Sequence, residues 1–362
     1  MVATPPYIDG QPANHFNLVR LLLSLAVLFS HCFELIDRGR TGESLYRLTG
    51  TFTAGDLAVD GFFVLSGFLI LQSWRRDPHA TRYLARRVLR IYPAFLVTTL
   101  LCGLVLGPAF GGGVSHYFEQ FHTGAFAVAA LGLREPAVPP VFIGSPYTDV
   151  NGSMWTIQYE FICYVLVVAG GLATRHARIF WWAVFCGALT LAVFGGNMLG
   201  GIHFFGSRVL LGDEPHEFMR FLVFFAAGAL WCLHVPRVRP NAAVATLAVV
   251  ATIVSLPHPA AAQFVLPTAG AYLLLALASL PATDSPLQRF VRRNDLSYGI
   301  YLVGWPVQQL WIHWLHIQSP WVLLSIAVPS AAACAAVSWY WIERPALRWK
   351  PLTRTGTARL PP

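Results

Sequence analysis

Apolar residues run along this chain in blocks of about twenty, separated by short polar or Gly- and Pro-rich segments. A helix rising 1.5 Å per residue crosses the ~30 Å hydrocarbon core of a bilayer in about 20 residues. The blocks therefore predict ten membrane-crossing helices, near 16–35, 55–73, 90–107, 153–173, 179–200, 217–234, 241–257, 261–281, 295–316 and 320–342. The run 121–133 ("FHTGAFAVAALGL") is too short to cross, and reads as a re-entrant or interfacial piece of the long loop 108–152. The expectation is an all-α polytopic membrane protein, with 1–15 as an N-terminal tail, 16–349 as one transmembrane domain and 350–362 as a disordered tail.

Composition strengthens this reading. Hydrophobic residues make up 56% of the 362 and charged residues only 12%, against about 25% charged in a soluble domain. The charge of +8 raises the question of nucleic acid, and its distribution answers it. With the N-terminus inside, the inner segments hold 18 of the 25 Lys and Arg and the outer loops 5, while Arg20 and Arg220 fall within spans. That is the positive-inside asymmetry, so the basic balance reports topology, and both termini are expected to be cytoplasmic. No cleavable signal peptide is expected, since residues 1–15 lack Lys and Arg and no A-x-A site follows the first block. The six cysteines lie in apolar stretches without C-x-x-C spacing, which favours small buried residues over disulfides or zinc.

The interest lies in the ionisable residues that interrupt the apolar blocks, because such groups in a membrane default to function. In "FNLVRLLLSLAVLFSHCFEL" (16–35), Arg20 and His31 are eleven residues apart. At about 100° per residue they share one helix face, separated by roughly 16 Å along the axis. Asp56 and Asp60 open the second span and Glu160 lies early in the fourth, so His31, Asp60 and Glu160 reach similar depth towards the outside. The inner side carries "RYLARRVLRIYP" (82–93), with Arg86, Arg87 and Arg90. Arg87 and Arg90 lie on adjacent turns and suit a shared phosphate, which guanidinium groups grip well. Two readings of these arginines are open: a polyanion grip, or plain positive-inside anchors on lipid phosphate. Asp60 is equally open, as a partner of His31 or of an arginine. Arg220 reads as a snorkelling side chain, Glu34 as a helix end at the interface, and His313 and His316 as interfacial. No G-x-S-x-G elbow, H-E-x-x-H pair or Walker glycine loop is present, which disfavours a serine hydrolase, a zinc protease or an ATPase.

Six segments in order resemble the membrane acyltransferase-3 family: "RLLLSLAVLFSH", "VDGFFVLSGFLI", "RRVLRIYP", "WTIQYEFICY", "LSYGIYL" and "WIERPALRW". Together they run from about residue 16 to 349. The resemblance implies transfer of an acyl group, acetyl in the simplest case, from cytoplasmic acyl-CoA to a sugar hydroxyl of an exopolysaccharide or lipopolysaccharide precursor. It implies His31 as the essential histidine, with Asp60 and Glu160 as matching acidic positions. Arg20, Arg86, Arg87 and Arg90 would serve the donor, and no metal or nucleic acid is expected. The implied partners are acyl-CoA, a glycan or lipid-linked saccharide and membrane lipids, and the implied location is a bacterial inner membrane. Where many relatives carry a histidine before Trp-Pro, this chain has Gly304, so no role passes to that position. Some relatives also carry a fused extracytoplasmic domain; here a second transfer step is expected to need a separate protein. Two alternatives stand beside this reading: an acyltransferase for a small molecule such as a macrolide, and a proton-coupled glycan or solute transporter using the same buried charges.

Overall fold

The computed structural model describes residues 7–8, 11–12, 14–195, 215–234, 241–282 and 285–349. Arg208, the basic segment 235–240, the end of the expected span 179–200 and the tail 350–362 with Lys350 lie outside the described residues. A two-residue antiparallel pairing, Tyr7–Ile8 with Gln11–Pro12, precedes the helices.

Fourteen helices follow among the described residues. They are α1 (Phe16–Asp37), α2 (Ser44–Thr49), α3 (Ala54–Arg76), α4 (Ala80–Phe110), α5 (Val114–Gln120), α6 (Thr123–Leu131) and α7 (Thr156–Ala173). The rest are α8 (Ala177–Phe194), α9 (Pro215–His234), α10 (Ala242–Ser255), α11 (Pro259–Ser279), α12 (Pro286–Arg293), α13 (Ser297–Leu315) and α14 (Pro320–Arg348). Eight are long and apolar enough to cross a membrane: α1, α3, α4, α7, α8, α9, α11 and α14. The other two expected spans are also helical, and they fall short for different reasons. Helix α10 has only 14 residues. Helix α13 has 19 but carries tyrosines, Gln308 and Gln309. Those glutamines are buried in protein, donating to the backbone carbonyls of Leu28 and Tyr147, so the polar middle of α13 is covered by the bundle. Helix α6, with nine residues or about 14 Å, does not span.

Lipid is as apolar as leucine, so close backbone approach and polar bonds, rather than hydrophobicity, hold membrane helices together. Helices α3 and α9 cross on two glycines. A Cβ on Gly67 would strike the Phe225 carbonyl, and one on Gly228 the Val64 carbonyl. Helices α13 and α14 meet at Gly299, where a Cβ would lie 2.8 Å from Cβ of Ala335. Helix α1 packs between α3 and α13, so the face bearing Arg20 and His31 looks into the bundle.

Local sequence fixes the parts that build the site. Helix α3 starts in a capping box, with Thr53 Oγ1 accepting from the Asp56 amide (3.0 Å) and Asp56 accepting from the Thr53 amide (2.9 Å). The loop before α7 is tied to α13: Asn151 donates to the Leu302 carbonyl (2.8 Å), Ser153 to that of Tyr301 (3.0 Å), and Trp305 to that of Asp149 (3.1 Å). These bonds seat Thr156 against Tyr301. Near its end α14 widens into a π turn, Trp339–Glu343, which turns Glu343 inward at 2% exposure. Such turns mark functional places more often than chance.

Candidate active site

His31 lines a cavity of about 320 Å³ built by α1, α3, α7, α9 and α13 with the 38–53 connection. Its ring meets Trp305 edge to face at 4.9 Å between centroids. Among the described residues no group hydrogen-bonds the imidazole, and the charges acting at the ring are those of Arg40 and Asp56. A half-buried imidazole with free ring nitrogens is available to exchange a proton with a ligand.

Five charged side chains line the same cavity and, with Asp60, form two clasps. Arg40 reaches from the connection to Asp56 (2.8 Å) and Glu34 (3.8 Å). Arg220 donates to Asp60 (3.0 Å) and Glu217 (2.7 Å). Two expectations, for Arg220 and Glu34, are corrected here, and the open choice for Asp60 falls to an arginine. Arg220 does not snorkel; it turns into the bundle and holds Asp60, which is 3% exposed. Asp60 is therefore bonded to Arg220 rather than to His31. Glu34 does not simply end its helix at an interface, since it lines the His31 cavity and pairs with Arg40. Arg220 and Arg40 are the residues sequence reasoning missed. Arg220 could have been found from its position: as the sixth residue of α9 it falls on the face shared with Glu217, opposite the acids of α3.

Glu160 belongs to a second, narrower cavity of about 50 Å³, lined by Arg20, Phe62, Phe63, Ser297, Tyr298 and others. It accepts hydrogen bonds from Ser66 and from Tyr164 Oη (2.5 Å), so it also makes no bond to His31. The two cavities share Val59, Thr156 and Tyr301. At that boundary the Thr156 and Tyr301 hydroxyls are 2.5 Å apart and hydrogen-bonded. The two cavities thus adjoin at Thr156 and Tyr301, with His31 lining the first and Arg20 the second.

Beyond Arg20 lies the arginine layer, and most of it is neutralised by protein. Asp295 accepts from Arg20 (3.2 Å) and Arg90 (2.6 Å), and Arg90 also reaches Glu343 (3.1 Å). Asp77 accepts from Arg82 (2.6 Å) and Arg86 (2.9 Å), and those two hydrogen bonds hold its carboxyl well below the usual carboxylate range. Arg87 differs. It lies over the rings of Tyr83 (5.8 Å) and Tyr164 (5.9 Å), no acid pairs with it among the described residues, and its buried Nε has no hydrogen-bond partner. The expected Arg87–Arg90 grip is thus split. Arg90 and Arg86 are committed to carboxylates, and Arg87 keeps its charge for something else.

The family described as "Acyltransferase domain" matches residues 14–340. An O-acetyl transferase of Shigella phage Sf6 is 26% identical over 92% of this chain and 95% of its own length. Nodulation protein 10 of Rhizobium leguminosarum bv. viciae is 28% identical over 92% of this chain and 93% of its own. The exopolysaccharide production protein ExoZ of Rhizobium meliloti (strain 1021) is 24% identical over 50% of this chain and 52% of its own. No solved structure matches the chain.

Proposed function

The chain belongs to the acyltransferase-domain family, and from that premise we propose that this membrane O-acyltransferase moves an acyl group, acetyl in the simplest case, from acyl-CoA to a sugar hydroxyl of an envelope or secreted glycan. Membership favours an enzyme over the transporter alternative. The observation that carries the reading is the pair of cavities meeting at Val59, Thr156 and Tyr301, which joins His31 to the arginine side.

In this reading a phosphate of acyl-CoA docks on Arg87, whose charge has no acid partner among the described residues. A guanidinium stacked on two aromatic rings is well placed to pair with a phosphate. The pantetheine arm passes Arg20 and the Thr156–Tyr301 pair and brings its thioester to His31. The eleven-residue step from Arg20 to His31 sets that span at roughly 16 Å, within one continuous helix. His31 takes the proton of the acceptor hydroxyl as general base. The oxygen attacks the thioester carbonyl, the new C–O bond forms and the C–S bond breaks. The imidazolium then returns the proton to the leaving thiolate, giving free CoA.

Asp60 and Glu160 act at one remove. Asp60 positions Arg220 on the chamber wall, and Glu160 organises Tyr164, over which Arg87 lies. Arg20, Arg86 and Arg90 shape the donor side through Asp295, Glu343 and Asp77. A bacterial inner membrane fits this chemistry, since it separates cytoplasmic acyl-CoA from glycans built on the far face. The test is transfer of radiolabelled acetyl from acetyl-CoA to glycan fractions by purified protein in detergent. Wild type labels glycan and releases CoA, and His31→Ala does neither while staying folded. Equal labelling by both proteins would refute the role of His31.

A further inference from the structure

The chamber around His31 holds more acid than base. Glu34, Asp56 and Glu217 line it, and Asp60 stands behind Arg220, against two arginines. Each guanidinium is already held by two carboxylates: Arg40 by Asp56 and Glu34, and Arg220 by Asp60 and Glu217. The formal sum of these six groups is two negative charges, and with any one carboxyl protonated it is still negative. Neither arginine is without acid partners, so an incoming anion would meet guanidinium charge that two carboxylates already balance. Asp60 Oδ2 is itself buried without a hydrogen-bond partner, one more unsatisfied acceptor beside Arg220.

We propose that this chamber selects its acceptor by charge, taking hydroxyls on uncharged or amine-bearing sugars and rejecting uronates and phosphorylated sugars. In a narrow, largely buried cavity a surplus charge acts through a low effective dielectric and is poorly screened. Specificity of this kind comes from a repulsive element built against the wrong ligand. The same surplus favours the imidazolium that forms on His31 when the acceptor hydroxyl gives up its proton. The selection deepens the acyl-transfer reading, but the potential that produces it can be measured without turnover.

Val59 borders both cavities. In a Cys186→Ala, Cys334→Ala background, which removes the exposed thiols, Val59→Cys is labelled with a cationic (trimethylammonium) and an anionic (sulfonate) methanethiosulfonate. Each rate is normalised to that of free cysteine. The cation is expected to win by about ten-fold, the size of one unscreened charge at an effective dielectric near 20. Glu217→Gln is expected to cut that preference about three-fold, and Glu217→Asp to restore it. Glu34→Gln reads the same charge from the other clasp. In the transfer assay, methyl glucoside is expected to be preferred over methyl glucuronide, with the preference falling in Glu217→Gln. A ratio at or below one, a ratio that ignores both Gln variants, or equal use of the two glycosides would overturn the proposal. A cation-favouring ratio without transfer to any sugar would instead count against acyl transfer and leave the charge selection standing.

Discussion

The two charged layers of this molecule contain the same kinds of residues and balance them differently. On the His31 side, acids outnumber bases, and each of Arg40 and Arg220 is held by two carboxylates. On the arginine side, Asp295, Glu343 and Asp77 take up Arg20, Arg90, Arg82 and Arg86, while Arg87 in the same stretch has no acid partner among the described residues. A row of arginines in a sequence therefore says little about which of them meets a ligand. The ion pairs made by the fold decide that, and of Arg20, Arg86, Arg87 and Arg90 they leave Arg87 without one.

The sharpest break between the layers comes from removing the base. His31→Ala is expected to lower transfer by 10²- to 10⁴-fold, the usual worth of a general base, with the melting temperature unchanged; a fall in melting temperature that accounts for the lost activity would contradict the assignment. Next is Arg220→Ala, which strands the Asp60 carboxylate in the bundle. Breaking a buried pair from one side costs about 3–5 kcal/mol, so detergent-solubilised protein should melt well below wild type, and Arg220→Ala with Asp60→Asn should recover part of the loss. Third, Arg87→Ala and Arg90→Ala should separate. The first raises the KM for acyl-CoA about ten-fold or more at unchanged melting temperature, whereas the second mainly destabilises, because Asp295 and Glu343 lose a cation they share. Identical behaviour of the two variants would erase the distinction between clasp and ligand site.

The smallest effects test the boundary and the rim. Tyr301→Phe removes the hydroxyl that bonds Thr156 where the cavities meet. Release of CoA without acceptor should rise a few-fold, with transfer nearly retained. Asp77 is a carboxyl depressed by Arg82 and Arg86, so its contribution is complete above its unfolded pKa near 4 and fades as pH falls below that. The melting-temperature gap between wild type and Asp77→Asn should therefore be constant from pH 7 to about 5 and begin to narrow towards pH 3, closing only below the depressed folded-state value. A gap that does not narrow at all between pH 5 and 3 would show that Asp77 acts through something other than its charge.

Much of this organisation was legible in the sequence. Apolar blocks of bilayer length placed all ten helices, and helical periodicity put Arg20 and His31 on one inward face of α1. The shortness of 121–133 correctly kept it from spanning. What the sequence could not show was pairing. Asp60, Glu160 and His31 share a depth, but depth fixes only the axial coordinate, and rotation about each helix directs Asp60 to Arg220 and Glu160 to Ser66 and Tyr164. Asp295 and Glu343 stood in segments read as a span edge and a motif, and only the ends of α12, α13 and α14 bring them to Arg20 and Arg90. Helix α13 shows the converse: its glutamines weaken the membrane signal because its polar face is covered by protein.

The central claim is a polar route through the bundle, with donor admitted beside Arg87 and acceptor beside His31. Proteoliposomes of one orientation test it most directly, with acetyl-CoA supplied only on the arginine side and glycan acceptor only on the His31 side. The account predicts acetylated glycan from that arrangement and none when the two substrates are exchanged. Transfer that requires both substrates on the same side would contradict it.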